Sequence, residues 1–159
     1  MKIARFLSNA ALLNHHFGII PLLYGSLGLE VLTGAFLNAD DIDILIPQSY
    51  VTGNQWPAFR ACLEACGYAL VDEHEHTFRK DGTDYAYAAV EGLKDFAGID
   101  IHEIGIRKTP QADYRLLSLA QYLRVYQRSS QDGYRMNVKE KKDREKIDFI
   151  QSRMAASVK

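Results

Sequence analysis

The chain has 159 residues, is 47% hydrophobic and 25% charged, and carries a formal net charge of −1. That composition predicts one globular domain over residues 1–159, with a real hydrophobic core. Its apolar runs are too short to span a bilayer, and near-neutral charge weighs against a dedicated nucleic-acid binder while leaving a nucleotide open as a small ligand.

Residues 2–17 place Ile3, Phe6, Leu7, Ala10, Leu13 and Phe17 at helical spacing. This predicts an amphipathic helix. Arg5, Ser8, Asn9 and Asn14 interrupt the apolar run, so the segment does not read as a signal peptide, and a cytoplasmic protein is expected. Residues 19–25 read as a buried strand, and residues 26–34 as a short helix with Gly34 as its C-cap. A loop leads to a strand over 41–47, closed by Pro47. Trp56-Pro57 opens a helix that Gly67 stops. Two short strands follow, over 68–73 and 76–82. Asp81-Gly82 signals a hairpin turn into a returning strand over 84–93. Residues 97–106 read as one more strand, 116–129 as a helix, and 138–155 as a last, highly charged helix. The order predicts an α/β (α+β) domain, a mixed β-sheet with flanking helices and C-terminal helices. A doubly wound parallel sheet would alternate more regularly.

Two short stretches carry chemistry. In "LLYGSLGLEVLTG", a strand stops at Gly25-Ser26 and turns at once into a helix. Such a turn presents free backbone N–H groups and the positive end of a helix dipole, which suit phosphate. Gly25 lets the backbone come close to a ligand, and Ser26 is placed to cap the helix or donate to a phosphate oxygen. In "ADDIDILIP", Asp41 and Asp43 share one face of a strand, with Ile42 opposite. Two adjacent carboxylates beside a core repel each other, and a hard divalent cation resolves the repulsion. Mg²⁺ fits, because it keeps waters and takes substrate phosphates as further ligands. The plain alternative puts Asp40 and Asp41 in a loop and Asp43 at a solvated sheet edge.

Taken together, Gly25-Ser26, the short helix and Asp41-Ile42-Asp43 resemble the signature of the nucleotidyltransferase superfamily, the polymerase-beta-like fold. "LLYGSLGLEVLTGAFLNADDIDILIP" is similar to the small lincosamide nucleotidyltransferases, although these carry Gly-Gly at the turn. The resemblance implies Mg²⁺-dependent transfer of a nucleoside monophosphate from an NTP to an acceptor hydroxyl. The acceptor would be a small molecule, as in antibiotic resistance, or an RNA or protein, as in toxin–antitoxin relatives. The other reading is a non-catalytic, nucleotide-binding regulatory domain on the same fold. By the same resemblance Asp41, Asp43 and a third carboxylate bind metal and act in catalysis. "GIDIHEIGI" offers Asp100 for that third position, as metal ligand and general base, with His102 orienting the acceptor. The C-terminal region resembles abortive-infection-toxin-type nucleotidyltransferases, with Lys142 as a nucleotide contact beside Gly25 and Ser26. Larger relatives add a helical domain, so a homodimer is expected to supply the missing wall.

Other features read plainly. Cys62 and Cys66 lie four apart on one helix, a spacing that seldom forms a disulfide, and two thiols alone do not make a structural zinc site. His15-His16 and His74-Glu75-His76 invite a metal reading, but no cysteine or regular third ligand accompanies them. Tyr85 and Tyr87 share a strand face and read as packing.

Overall fold

The structure, a computed structural model, describes residues 2–130 and 137–157, with side chains for 2–130 and 143–156. It opens with α1 (Lys2–Phe17), β1 (Leu22–Tyr24), α2 (Gly25–Thr33) and β2 (Ile42–Ile46). Next come α3 (Trp56–Ala65), β3 (Ala69–Asp72), β4 (Thr77–Lys80), β5 (Thr83–Ala89) and α4 (Gly92–Ala97). The chain continues with β6 (Gly105–Lys108), β7 (Asp113–Leu116), α5 (Leu119–Ser130) and α6 (Asn137–Ser157). The strands form one seven-stranded sheet in the order β3-β4-β5-β2-β1-β7-β6. It is mixed: β2 runs parallel to β5 and β1 parallel to β7, while the other neighbours are antiparallel. This is the expected α+β class. Among the described residues, no helix is long and apolar enough to cross a membrane.

Strand alternation sorts the sheet's side chains into two cores. On one face Ile42, Ile44, Ile46, Phe78, Tyr85 and Tyr87 pack against α1 and α3. Phe59 of α3 sits at the centre of that core, its ring 5.1–5.6 Å from those of Phe17 and Tyr87. Asn9 reaches this core from α1 and donates to the Tyr87 hydroxyl at 2.6 Å. Tyr85 and Tyr87 are therefore core residues. On the other face Leu22 and Leu45 pack beneath Leu93, Tyr122, Val125, Tyr126 and Ile150, drawn from α4, α5 and α6. Asp43 lies between the first-core residues Ile42 and Ile44, so it belongs to this second face.

The turn at Asp81-Gly82 is a two-residue hairpin between β4 and β5, with φ of 51° and 74°. Both values are positive, as the tight turn that suits a twisted hairpin requires. Elsewhere the sequence reading needs correction. Residues 97–106 are not one strand. They finish α4, pass through Gly98 and Asp100, make a 3-10 turn at Ile101–Glu103 and only then enter β6. The Asp100 carboxylate accepts the His102 backbone N–H at 2.9 Å, and this side-chain cap draws the segment into a turn. The strand expected over 19–25 shrinks to three residues, and the one expected over 84–93 ends at Ala89 and gives way to α4. β7 falls in a stretch for which the sequence predicts no element and ends where the helix expected over 116–129 begins; its alternation covers only four residues.

Candidate functional site

β1 and β2 are antiparallel, with Tyr24 opposite Asp43. The chain leaves β1 at Tyr24 and enters α2 directly at Gly25. Gly25 adopts φ +65°, the left-handed region that costs a side-chain-bearing residue about 1–2 kcal/mol. A Cβ there would also collide with Asp43 Oδ2. The turn and the carboxylate are thus pressed together, and only glycine fits between them.

Tyr122 braces the turn from the other side. Its fully buried hydroxyl donates to the Gly25 carbonyl at 3.0 Å. A Cβ on Gly28 would strike that same hydroxyl and come within 2.6 Å of the Leu23 carbonyl. β1, α2 and α5 are therefore locked around Gly25 and Gly28. Tyr122→Phe is expected to cost about 1 kcal/mol of stability, the net value of one hydrogen bond, measured by urea unfolding. Ser26 does not cap α2, because Tyr24 holds the N-cap position and no side chain bonds there. Its side chain instead lines the smaller cavity together with Tyr126 of α5.

Two cavities meet at this turn. One, of about 490 Å³, is lined by Ser26, Asp40, Asp41, Asp43, Glu145 and Lys146, among others. The other, of about 310 Å³, is lined by Tyr24, Gly25, Phe96, Tyr126, Ser129 and Asp143 together with Ser26, Asp43 and Lys146. Ser26, Asp43 and Lys146 are common to both. Burial, with the neighbouring Asp41 charge, pushes the Asp43 carboxyl up to about 6, against the pull of Lys146. Burial and the charges of Asp43 and Asp143 also hold the Tyr24 hydroxyl well above its ordinary range. Asp143 is itself buried and accepts from Ser129 Oγ at 2.7 Å.

The structure brings Gly25, Ser26, Asp41 and Asp43 together and leaves Asp100 and His102 apart from them. Asp100 borders a separate cavity with Pro47, Val90, Glu91 and Lys94, and its carboxylate is 3.7 Å from Lys94 Nζ. That cavity lies beyond the far end of β2, about 13 Å along the strand from Asp43. The hydrogen bond from His102 and the neighbouring Lys94 charge hold the Asp100 carboxyl below its usual range. His102 is exposed on the same 3-10 turn. The side chain of Lys142 lies outside the described residues. Arg124 is turned away from the cavities, towards the Gly98 carbonyl at 3.4 Å. His74 and His76 lie at the turn between β3 and β4, where His76 packs edge-on against Trp56 at 4.8 Å.

Three residues of this neighbourhood escaped the sequence reading. Lys146 stands one helical turn beyond Lys142, within a run of alternating charges that reads as a solvated face. Asp143 comes from the same run. Asp84 is the third. The register Ile42↔Tyr85 and Asp43↔Ala86, continued back by one residue, sets Asp84 level with Asp41 on the Asp43 face. Arg79, opposite Asp84 on β4, donates to its carboxylate through Nε at 2.6 Å and a second nitrogen at 3.2 Å. This pairing holds the Asp84 carboxyl below its ordinary value, and the Asp41 charge reaches Arg79 as well. Only the strand register could have found Asp84, since 41 residues separate it from Asp43.

No family model and no solved structure matches the chain. It is similar to the uncharacterized protein YnaI of Bacillus subtilis (strain 168), with 41% identity over 145 residues, 91% of this chain and 92% of that protein.

Proposed function

The chain belongs to the same family as YnaI, and we propose that it is a magnesium-dependent nucleotidyltransferase of the polymerase-beta-like fold, moving a nucleoside monophosphate from an NTP to an acceptor hydroxyl with pyrophosphate as the leaving group. The observation that carries this reading is the close approach of Gly25 to Asp43, which sets a helix N-terminus against a carboxylate pair at the junction of two cavities. A phosphate-binding turn and a carboxylate pair in contact suit a ligand that carries phosphates and a hard cation together.

The donor set suits Mg²⁺: the Asp41 and Asp43 carboxylates supply hard oxygens, and both line the larger cavity together with Ser26 and Lys146. In this reading Asp41 and Asp43 hold the metal, and Asp84 replaces Asp100 as the third carboxylate of the sheet face. Bound there, the cation would supply charge stabilisation to the phosphates. The α2 N–H groups and Ser26 Oγ orient the triphosphate, and Lys146 offers it a positive charge from α6. Tyr122 keeps the turn in place from behind. The Asp84 carboxylate is the candidate to take the acceptor proton, which requires it to leave Arg79.

The test is transfer of label from each of the four α-phosphate-labelled NTPs, with Mg²⁺, to three acceptor pools: small hydroxylated molecules, RNA and protein. The expected result is labelling of one pool, lost in Asp41→Asn and reduced about 100-fold or more in Asp84→Asn, as befits loss of a general base. If NTP binds but no pool is labelled, the chain is a nucleotide-binding regulator on this fold. Unchanged transfer in Asp84→Asn would return the third-carboxylate role to another residue.

A further inference from the structure

The C-terminal ends of α1 and α3 meet on the far side of the first core from the carboxylate pair. Phe17, the last residue of α1, packs on Phe59 of α3 with ring centroids 5.6 Å apart. This contact seats the end of α1 against the side of α3. It also carries His16 to the CxxxC pair of α3. One ligand atom from each of His16, Cys62 and Cys66 lies within 4.8 Å of the others. Cys62 and Cys66 are free thiols, half-buried, and His16 is exposed.

We propose that His16, Cys62 and Cys66 form a binding site for a borderline-soft divalent cation of the zinc class, independent of the Asp41–Asp43 cleft. Two thiolates and an imidazole are the donors that such an ion selects, in preference to the all-oxygen set of the cleft. Bond lengths of about 2.3 Å to sulfur and 2.0–2.1 Å to nitrogen put tetrahedral ligands about 3.5–3.8 Å apart. The three groups close to that spacing by side-chain rotation, for which the exposed His16 has room. On binding, each thiol releases its proton to solvent, and two thiolates then neutralise the dication with a neutral imidazole. Three protein ligands leave a fourth position, open to water or an outside ligand.

The backbone favours a cation at the same place. Cys66 is the C-cap of α3 and His16 belongs to the last turn of α1, so two helix dipoles point their negative ends at the site. The α3 terminus is held firmly: Cys66 N–H donates to the Cys62 and Leu63 carbonyls, and Lys80 Nζ donates to the Cys66 carbonyl at 2.9 Å. The consequence for the fold is a clasp between α1 and α3, residues 16 and 62–66, across a span of sequence that no disulfide bridges. An ion that binds the native state alone then raises stability in proportion to the logarithm of its concentration.

The experiment is titration of the reduced, metal-free full chain with Co²⁺, followed by displacement with Zn²⁺. The readout is the thiolate-to-cobalt charge-transfer band. Wild type is expected to bind one cobalt per chain with that band. Cys62→Ser and Cys66→Ser should each lose it. His16→Ala should raise the half-saturation concentration about tenfold or more, since even outer-shell changes at metal sites cost that much. His16 is exposed, so this variant keeps its fold, which a metal-free thermal melt verifies for each protein. Asp43→Asn should leave the cobalt band unchanged, which separates this site from the cleft. No thiolate–cobalt band in reduced wild type, or equal affinity in His16→Ala, would overturn the proposal.

Discussion

Asp43→Asn is expected to make the metal-free protein more stable at pH 7.5, by roughly 2–3 kcal/mol. The carboxyl of Asp43 titrates at about 6 in the folded chain, against 3.8 for the ordinary group, because burial and Asp41 disfavour its charge. A folded pKa raised above the unfolded one means that the native state holds the proton more tightly. The stability this gives is fully present below pH 3.8 and is lost as pH rises through 6. Two pKa units correspond to about 2.7 kcal/mol. The Asn variant stays neutral and escapes that loss. Thermal melts of both metal-free proteins between pH 4.5 and 8 should therefore diverge as pH rises, with wild type falling below the variant. A wild type that stays the more stable at pH 7.5, or a gap that does not change with pH, would mean that Asp43 is not held under charge strain.

The second large effect is expected at Gly25. Gly25→Ala meets two separate penalties. The left-handed backbone costs an alanine about 1–2 kcal/mol, and the added methyl collides with the Asp43 carboxylate in a packed region, where overpacking costs a further 1–3 kcal/mol. A total loss of about 2–5 kcal/mol is expected in chemical denaturation. Gly34→Ala is the matched control. Gly34 is also left-handed, at φ +75°, but a Cβ there meets nothing within 4 Å. It should lose only the backbone part. If the two variants lose equal stability, the contact between turn and carboxylate has no energetic weight. The double variant Gly25→Ala/Asp43→Ala should recover part of the collision term, since it removes one partner of the clash.

The turn and the carboxylate pair were legible in the sequence because their parts are local. Gly25-Ser26 is a dipeptide at a strand–helix junction, and Asp41 and Asp43 lie two residues apart, although Asp41 sits in the bend just before β2 and only Asp43 is on the strand. The hairpin at Asp81-Gly82 was legible for the same reason. What failed was non-local or poorly periodic. "GIDIHEIGI" alternates like a strand, but the Asp100 side chain caps its own backbone and pulls the segment into a 3-10 turn. The turn sets Asp100 beside a cavity past the Pro47 end of β2, apart from Asp43. Asp84 joins the Asp43 face only through the parallel pairing of β2 with β5. His16 reaches Cys62 and Cys66 only because Phe17 docks on Phe59. Tyr122, 97 residues from Gly25, is likewise joined to it by packing alone. Spacing along the chain reports one element's face, while the partners of that face are chosen by the tertiary fold.

The measurement that bears most directly on the proposed function is calorimetric titration of the four NTPs into wild type, Asp41→Asn and Asp43→Asn, each with and without Mg²⁺, with Asp100→Asn as the comparison. If Asp41 and Asp43 hold the cation and the Gly25-Ser26 turn holds the triphosphate, at least one NTP binds wild type only with Mg²⁺. Both cleft substitutions then abolish that heat, and Asp100→Asn retains it. Well-folded wild type that binds no NTP, or binding that survives both substitutions, would contradict the assignment of this cleft to a metal–nucleotide complex.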